Sequence, residues 1–174
     1  DDMSVLSGCG LGGTSLINAN VAIRPDPRVF EDPSWPQAFR ADVKGLLEQG
    51  FEHAERMLKP TPYPDDFPPL PKLDALEKSA EFMNEDFYRL NINVTFKSGV
   101  NHVGVRQEPC VLCGDCMAGC NHLAKNTTYM NYLPDARNHE AQMFTQVDVR
   151  YIEKEADRWI VHYQLLDTGR EVFS

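Results

Sequence analysis

The sequence predicts an α+β fold, with helices in its first half and an antiparallel β-meander at its C-terminal end. Apolar residues recur at helical spacing through residues 34–58 and again through residues 73–83. Beyond residue 142, apolar and polar residues alternate in runs that turn residues separate, as expected of antiparallel strands. With 174 residues, 42% of them hydrophobic and 25% charged, the chain can bury a globular core.

Two helices are predicted in the first half of the chain. Ser34 can cap the first helix together with Gln37, and Pro36 suits its first turn. The apolar face of this helix consists of Phe39, Val43, Leu46, Leu47, Ala54, Met57 and Leu58. Six prolines in residues 60–71 then predict an extended surface connection. The second helix follows from the spacing of Leu73, Leu76, Ala80 and Met83.

The second half of the chain is predicted to be mainly strands. A first strand is indicated by the alternation of Leu90, Ile92, Val94 and Phe96 with polar residues. A short helix is expected after the cysteine-rich segment, ending near Leu133 and Pro134. The meander follows, with one strand face formed by Met143, Thr145, Val147, Val149 and Tyr151, and the next by Trp159, Val161, Tyr163 and Leu165. Turns are predicted at residues 153–157 and 167–170, before a third strand at residues 171–173.

The charge of the chain argues against nucleic-acid and membrane partners. The formal net charge is −9 and the pI is about 5.0, so the surface repels phosphate backbones and anionic lipid. No apolar run approaches the roughly 18–20 residues that a membrane span needs. Asp1 and Asp2 stand where a signal peptide would be basic. We therefore expect a cytoplasmic protein without a membrane span and without a nucleic-acid partner.

Four cysteines lie within eleven residues and are candidate metal ligands. Cys110, Cys113, Cys116 and Cys120 have the C-x-x-C-x-x-C-x-x-x-C spacing of bacterial ferredoxins, which predicts an iron–sulfur cluster. Four thiolates could also hold zinc tetrahedrally, although zinc sites usually consist of two separated pairs. Ligand-free thiols or a local disulfide are further alternatives. The run therefore leaves open an iron–sulfur electron-transfer module or a zinc-stapled structural domain.

A glycine-rich loop at residues 8–15 is the second chemical feature. Glycine lets a backbone approach a flat or anionic ligand closely because no Cβ intervenes. Successive backbone N–H groups can then cradle a phosphate or the polar edge of a ring. The loop is not predicted to be a dinucleotide-binding turn, because no strand precedes its G-x-G-x-x-G spacing (Gly8, Gly10 and Gly13) and no helix is predicted directly after it. A plain turn between buried elements is the alternative interpretation.

Three segments together resemble the cholesterol-oxidase-like branch of the glucose-methanol-choline (GMC) FAD-dependent oxidoreductases. The first is Gly10–Asn18 with Val21–Pro25 after it. The second comprises Cys113–Cys116, Gly119–Asn121, Ala124–Thr127 and Asn131–Leu133. The third is Phe144–Val149 with Trp159–Tyr163. The three segments occur in the order that the family has, and they span nearly the whole chain.

The resemblance implies a partial FAD-binding domain of the GMC type with a helical cover. It also implies FAD as the cofactor and a sterol or another bulky apolar alcohol as the small-molecule substrate, whose hydride passes to the flavin. The resemblance implies that Gly12, Gly13 and Thr14 contact the flavin nucleotide through their backbone. Asn18 and Val21 lie beside the isoalloxazine and ribityl groups, and the backbone of Val147 meets adenine.

The resemblance also predicts how the chain is organised. Residues 1–29 would form the flavin-contacting loop, and residues 30–105 a helical and strand segment toward the substrate domain. Residues 106–135 would hold the cysteine-rich segment and a short helix, and residues 136–174 the β-meander. The family's opening strand with its dinucleotide-binding turn, and its C-terminal catalytic histidine and partner, have no counterpart here. We therefore expect an internal fragment without catalytic residues, inactive alone, that packs against the remaining parts of the same polypeptide.

Overall fold

The structure is a computed structural model that describes residues 3–173. It contains helices and antiparallel sheets, so the predicted α+β class is confirmed. The chain divides after Asn138 into two units, and each is described by itself. In the described part of the chain, no helix combines the length and the apolar character that a bilayer crossing requires.

The first predicted helix is interrupted, and its predicted cap is wrong. Helix α1, Gln37–Arg40, begins after Pro36 and has no side-chain cap. The N–H of Ser34 instead donates to Asp32 Oδ1 at 2.8 Å, within a turn that precedes the helix. A π-helical turn, Val43–Leu47, leads into helix α2, Glu48–Leu58.

Asp42 and Gly45 explain the interruption between α1 and α2. Asp42 leaves the helical conformation, with φ −126°, and its carboxylate accepts the N–H of Leu46 at 3.3 Å. A Cβ on Gly45 would lie 1.9 Å from Asp42 Oδ1, so the carboxylate has room in this position because residue 45 is glycine. An acidic side chain that bonds nearby backbone competes with the helical hydrogen bonds, and here it replaces one turn of regular helix.

The proline-rich connection and the second predicted helix are confirmed. Residues 60–70 carry no helix, and Thr61 forms an isolated bridge with Ile92. Helix α3, Pro71–Met83, has proline in its first turn, where a missing N–H costs little. Asn84 ends it in the left-handed conformation with φ 55°.

The strand predicted around residues 90–96 is an extended segment held by isolated bridges. Ile92 bridges Val21 and Thr61, whereas Val94 bridges Lys125. The segment pairs with three different parts of the chain, one residue at a time, and so builds no continuous ladder. A short antiparallel pair, β1 (Gly99–Val100) and β2 (Arg106–Gln107), follows it. Two-residue strands are too short to leave an alternation pattern, so they were not predicted.

The helix expected after the cysteines begins where it was predicted to end. A 3-10 turn, Thr128–Met130, precedes helix α4, Tyr132–Asn138. Pro134 is therefore in the first turn of α4 rather than at its end. The first N–H groups of a helix have no partner within the helix, so proline there removes no hydrogen bond.

The interior of the first unit is unusually polar. Its buried apolar residues are Phe30, Ala80, Val94, Val103, Ala124 and Met130. Its buried polar residues are Asn20, Asn93, Gln107, Lys125, Asn126, Thr127 and Asn131. Gln107 Nε2 donates to Asn126 Oδ1 at 2.8 Å, and Asn126 Nδ2 donates to the Leu58 carbonyl at 2.8 Å. Buried polar groups need partners, so specific hydrogen bonds decide how these segments meet.

The second unit is the predicted antiparallel meander. Strands β3 (Val147–Glu155), β4 (Arg158–Leu165) and β5 (Glu171–Phe173) pair in that order. The alternation predicts Met143 and Thr145 in the first strand, but both residues precede it. Gln146, with a left-handed φ of 59°, breaks the extended chain just before Val147.

Candidate functional site

The glycine loop has the geometry that a close ligand approach needs. It contains a 3-10 turn, Gly13–Leu16, and φ is +112° at Gly12 and +56° at Gly13. A Cβ on Gly12 would lie 3.1 Å from Leu16 Cδ2, so the Leu16 side chain fills the space beside Gly12. A Cβ on Gly13 would meet nothing within 4 Å. The backbone at Gly13 therefore borders open space that a ligand can enter.

Two hydroxyl groups fix the shape of this loop. Ser15 Oγ donates to the Gly12 carbonyl at 2.6 Å, and Thr128 Oγ1 donates to the same carbonyl at 2.9 Å. The Thr128 N–H donates to Ser15 Oγ at 3.0 Å. Thr14 Oγ1 accepts the N–H of Gly8 at 3.1 Å, so its side chain closes the start of the loop. The loop is thus held from within and by the segment before α4.

A buried lysine holds the second half of the loop. Lys125 is 2% exposed, and its Nζ donates to the carbonyls of Leu16 at 3.0 Å, Asn18 at 2.8 Å and Cys116 at 2.8 Å. Burial lowers the pKa of Lys125, while the nearby thiols of Cys116 and Cys120 act in the opposite direction. The sequence showed Lys125 within a matching segment, but no sequence signal reveals that a lysine is buried.

The remaining loop positions predicted to contact flavin are accessible. Asn18 is exposed, and its Oδ1 accepts the Asn20 N–H at 3.1 Å. Val21 is 49% exposed and bridges Ile92. The structure thus brings Gly12, Gly13, Thr14, Asn18 and Val21 together in one loop of the first unit. The predicted adenine contact, Val147, begins β3 in the second unit, where it pairs with Leu165.

A buried acceptor beside the loop is left without a partner. Asn93 Oδ1 is buried, and no described residue donates a hydrogen bond to it. The backbone N–H of Asn93 donates to the Asn20 carbonyl at 2.7 Å, so this residue adjoins the end of the loop. Buried polar atoms without partners are rare in proteins.

The four clustered cysteines lie around one small cavity. Cys110, Cys113, Cys116 and Cys120 line a space of about 20 Å³, and all four are free thiols. Burial raises the pKa of Cys110, which favours its neutral thiol. Among the residues that the structure describes, no three His, Cys, Asp or Glu side chains form a group that could hold a metal ion.

The geometry around the cysteines therefore lends no support to zinc or to an iron–sulfur cluster. A structural zinc site brings four sulfurs to about 2.3 Å from one ion, which these thiols do not offer. Cys116 Sγ instead accepts a hydrogen bond from Asn20 Nδ2 at 2.7 Å. The assignment of the four cysteines as metal ligands stays a prediction from their spacing.

A groove in the first unit was not predicted from the sequence. It measures about 720 Å³, within the range of roughly 300–1,000 Å³ that is usual for small-molecule sites. Its apolar lining includes Met57, Phe67 and Phe96, and the rings of Phe67 and Phe96 pack edge to face at 4.8 Å. Gln107 and Asn126 add buried polar groups. The groove combines this apolar surface with polar and charged side chains, among them Lys59, Asp66, Lys97 and His102.

Comparison with known proteins identifies the family. The model of the GMC oxidoreductase family matches residues 1–171. The cholesterol oxidase of Acinetobacter baumannii is 29% identical, and the match covers 89% of this chain and 30% of that protein. The cholesterol oxidase of Mycobacterium tuberculosis (strain H37Rv) is also 29% identical, with coverage of 90% and 29%.

These matches define how much of a relative the chain represents. It spans about 30% of the length of the curated relatives that it matches. No solved structure matches at comparable significance. The family match extends over almost every residue of the chain and includes the glycine loop, the cysteine segment and the meander. The chain therefore belongs to the GMC oxidoreductase family, whose members bind FAD.

Proposed function

We propose that the full-length polypeptide containing this chain is an FAD-dependent oxidoreductase that oxidises an alcohol. The observation that carries the proposal is the loop at residues 12–18. Its backbone at Gly13 borders open space, and its shape is fixed from behind by Thr128 and Lys125. A rigid loop with an open face can receive a flat cofactor without paying further ordering entropy.

The residues of this chain bind and orient the cofactor in this proposal. Gly12, Gly13 and Thr14 supply backbone contacts to the flavin nucleotide, and Asn18 and Val21 lie beside the ring and ribityl groups. Val147 meets adenine through its backbone. Bound FAD supplies the redox chemistry, in which the alcohol carbon loses a hydride, the hydroxyl loses a proton and a carbonyl forms.

The substrate that we propose is a sterol or another bulky apolar alcohol. Both relatives described above are named cholesterol oxidases. The 720 Å³ groove supports this choice because Met57, Phe67 and Phe96 offer apolar surface to such a molecule. We place the cofactor-binding segments at residues 1–29 and 136–174, and the substrate-side segment at residues 30–105.

We also propose that the 174-residue chain alone has no turnover. The Gly8–Gly13 run has the G-x-G-x-x-G spacing, but among residues 3–173 no strand leads into it as in a dinucleotide-binding turn, and the sequence matches none of the family's catalytic residues. Residues 106–135, the cysteine-rich segment and short helix, would then support the loop rather than perform chemistry.

Anaerobic reduction of the purified full-length protein tests the function and the substrate class together. We expect its flavin absorbance to bleach on addition of a sterol and to remain with short-chain alcohols at equal concentration. Flavin that no alcohol reduces would contradict the proposed reaction. Reduction by short-chain alcohols in preference to sterols would contradict the substrate class alone.

A further inference from the structure

The groove of about 720 Å³ in the first unit carries charged groups that a neutral sterol would leave unused. We propose that this groove binds an apolar carboxylic acid, so that the substrate is a bulky hydroxy acid whose carboxylate is recognised by Lys59, Lys97 and Asn131. This inference rests on the proposed function, because it names the substrate class for the same alcohol oxidation. It follows from two cations and one amide donor that share the groove and lack partners in the described part of the chain.

Two ammonium groups line the groove. Lys59 ends helix α2, and Lys97 follows Phe96, whose ring forms part of the apolar wall. Both lysine side chains are exposed, and within residues 3–173 neither forms an ion pair. A cleft with apolar walls focuses the field of the charges that line it and so attracts ions of the opposite sign. The two lysines therefore offer positive charge to an anionic ligand.

The charge of the groove is opposite to that of the whole chain. The chain has 26 acidic and 17 basic side chains, whereas the groove is lined by two lysines and by one carboxylate, that of Asp66. Asp66 is exposed and pairs with neither lysine among the described residues. With histidine neutral, two positive charges and one negative charge leave the groove one net positive charge. An anion is thus the ligand that this charge favours.

A buried amide adds a hydrogen-bond donor to the groove. Asn131 lines the groove and is 2% exposed. Its Oδ1 accepts the N–H of Tyr132 at 2.7 Å, and this contact decides which end of the amide is the oxygen. The Nδ2 of Asn131 donates to no atom among residues 3–173. Polar groups of buried side chains usually have partners, so this donor suits a ligand that supplies an acceptor oxygen.

The other amide side chains of the groove already have acceptors for their nitrogens. Asn101 Nδ2 donates to Gln107 Oε1 at 3.2 Å, and Gln107 Nε2 donates to Asn126 Oδ1 at 2.8 Å. Asn126 Nδ2 donates to the Leu58 carbonyl at 2.8 Å. These three amides form a chain that holds the groove in shape, and Asn131 is the amide that remains available to a ligand.

The walls of the groove fit the apolar body of such an acid. Met57, Phe67 and Phe96 supply the apolar surface. The ring of Tyr63 packs edge to face on Phe96 at 5.6 Å and on Phe67 at 6.0 Å, so the aromatic wall is fixed. Burial of apolar surface favours binding of a sterol and of a sterol-like acid alike. Only the acid also uses the two ammonium groups.

A pair of ligands that differ in charge alone tests this inference in the full-length protein. The ligands are a steroid carboxylic acid without a hydroxyl group, which cannot be oxidised as an alcohol, and its methyl ester. Binding of each is measured by calorimetry below its micelle concentration, first at low salt and then at about 0.5 M salt, where charges are strongly screened. The same measurement does not depend on flavin reduction.

Three variants are compared with the wild type. Lys59→Met with Lys97→Met removes both cations of the groove and keeps the length of the side chains. Lys72→Met with Lys78→Met, at exposed positions of α3 outside the groove, is the control with the same change in net charge. Asn131→Asp keeps an oxygen for the Tyr132 N–H and replaces the free donor by a carboxylate oxygen.

We expect wild-type protein to bind the acid at least about fivefold more tightly than the ester, as two exposed ion pairs allow. High salt and the groove double variant should each remove most of this preference, while the control double variant retains it. Asn131→Asp should weaken binding of the acid more than binding of the ester, because a carboxylate repels the acid alone. Hydroxylated forms of the two ligands should reduce the flavin with the same order of half-saturating concentrations.

Equal wild-type affinity for acid and ester would overturn the inference. A preference that survives loss of both groove lysines, or that the control double variant loses equally, would also overturn it. If Asn131→Asp does not fold, the lysine variants decide, since both of their positions are exposed. Flavin that no hydroxysteroid reduces, in a protein that still prefers the acid, would contradict the proposed function and leave the groove as an acid-binding site.

Discussion

Gly13→Val separates backbone strain from the loss of a cofactor contact when it is compared with Gly104→Val. Gly13 has φ +56° and Gly104 has φ +86°, and a Cβ on either would meet nothing within 4 Å. Both positions therefore impose the same kind of penalty on valine, a β-branched residue in the left-handed region. Only Gly13 lies in the loop that we assign to flavin.

The size of the effect follows from that comparison. A non-glycine residue in a sparsely populated backbone region costs about 1–3 kcal/mol, so each variant should lose about that much unfolding free energy. No steric clash adds to the loss in the apoprotein, because the new side chain enters open space in both cases. In Gly13→Val the added methyl groups occupy the space that the cofactor would enter, so FAD retention should be abolished.

The assay is the ratio of flavin to protein absorbance after purification of the full-length variants, with chemical denaturation to compare their stability. We expect Gly13→Val to lose its flavin and Gly104→Val to retain it, at similar stability. Equal flavin retention in both folded variants would show that the loop is only a turn. Equal loss in both would show that strain, and not contact, governs cofactor retention.

Three further predictions concern the support of the loop and the interior around it. Thr128→Val removes a hydroxyl bonded to the Gly12 carbonyl, so we expect about 0.5–1.5 kcal/mol lower stability by denaturation and weaker FAD binding. Unchanged stability and unchanged FAD affinity would contradict the conclusion that Thr128 fixes the shape of the loop. Val94→Ala, at a side chain 2% exposed, should cost about 1.5–3 kcal/mol, whereas Val149→Ala, 54% exposed, should change stability by less than about 0.5 kcal/mol. Iron, sulfide and zinc analysis of full-length protein purified without oxygen tests the cysteine run: stoichiometric iron with sulfide, or stoichiometric zinc, would establish the site that the spacing predicts, and well below one metal atom per chain would contradict it.

Periodic segments were the predictable part of the fold. Helix α3 and the meander follow from the apolar spacing and alternation of their sequences, although Ala80 is the one buried residue of α3 and strand β3 is exposed from Val149 onward. The break before α2 did not follow, since it depends on the Asp42 carboxylate fitting against Gly45. The extended segment around Ile92 was predicted to be a strand because apolar and polar residues alternate along it. Its partners are three separate segments, which alternation cannot reveal.

The sequence predicts those parts of the candidate site that depend on residue type. It does not predict the parts that depend on which residues are buried. The glycines of the loop indicate a close ligand approach from the sequence alone. Lys125 and Asn93 had no such signal, because lysine and asparagine are usually exposed and only the folded chain shows them buried. The cysteine spacing predicted a common location, and the four thiols do line one cavity. Spacing could not predict that the cavity is too small to hold much more than one water molecule.

The absorbance spectrum of the purified full-length protein tests the central claim most directly. The family match and the open face of the loop at Gly13 predict flavin absorption bands that correspond to about one FAD per chain. Denaturation should release this FAD. A folded protein without flavin bands, which also fails to bind added FAD, would contradict the account.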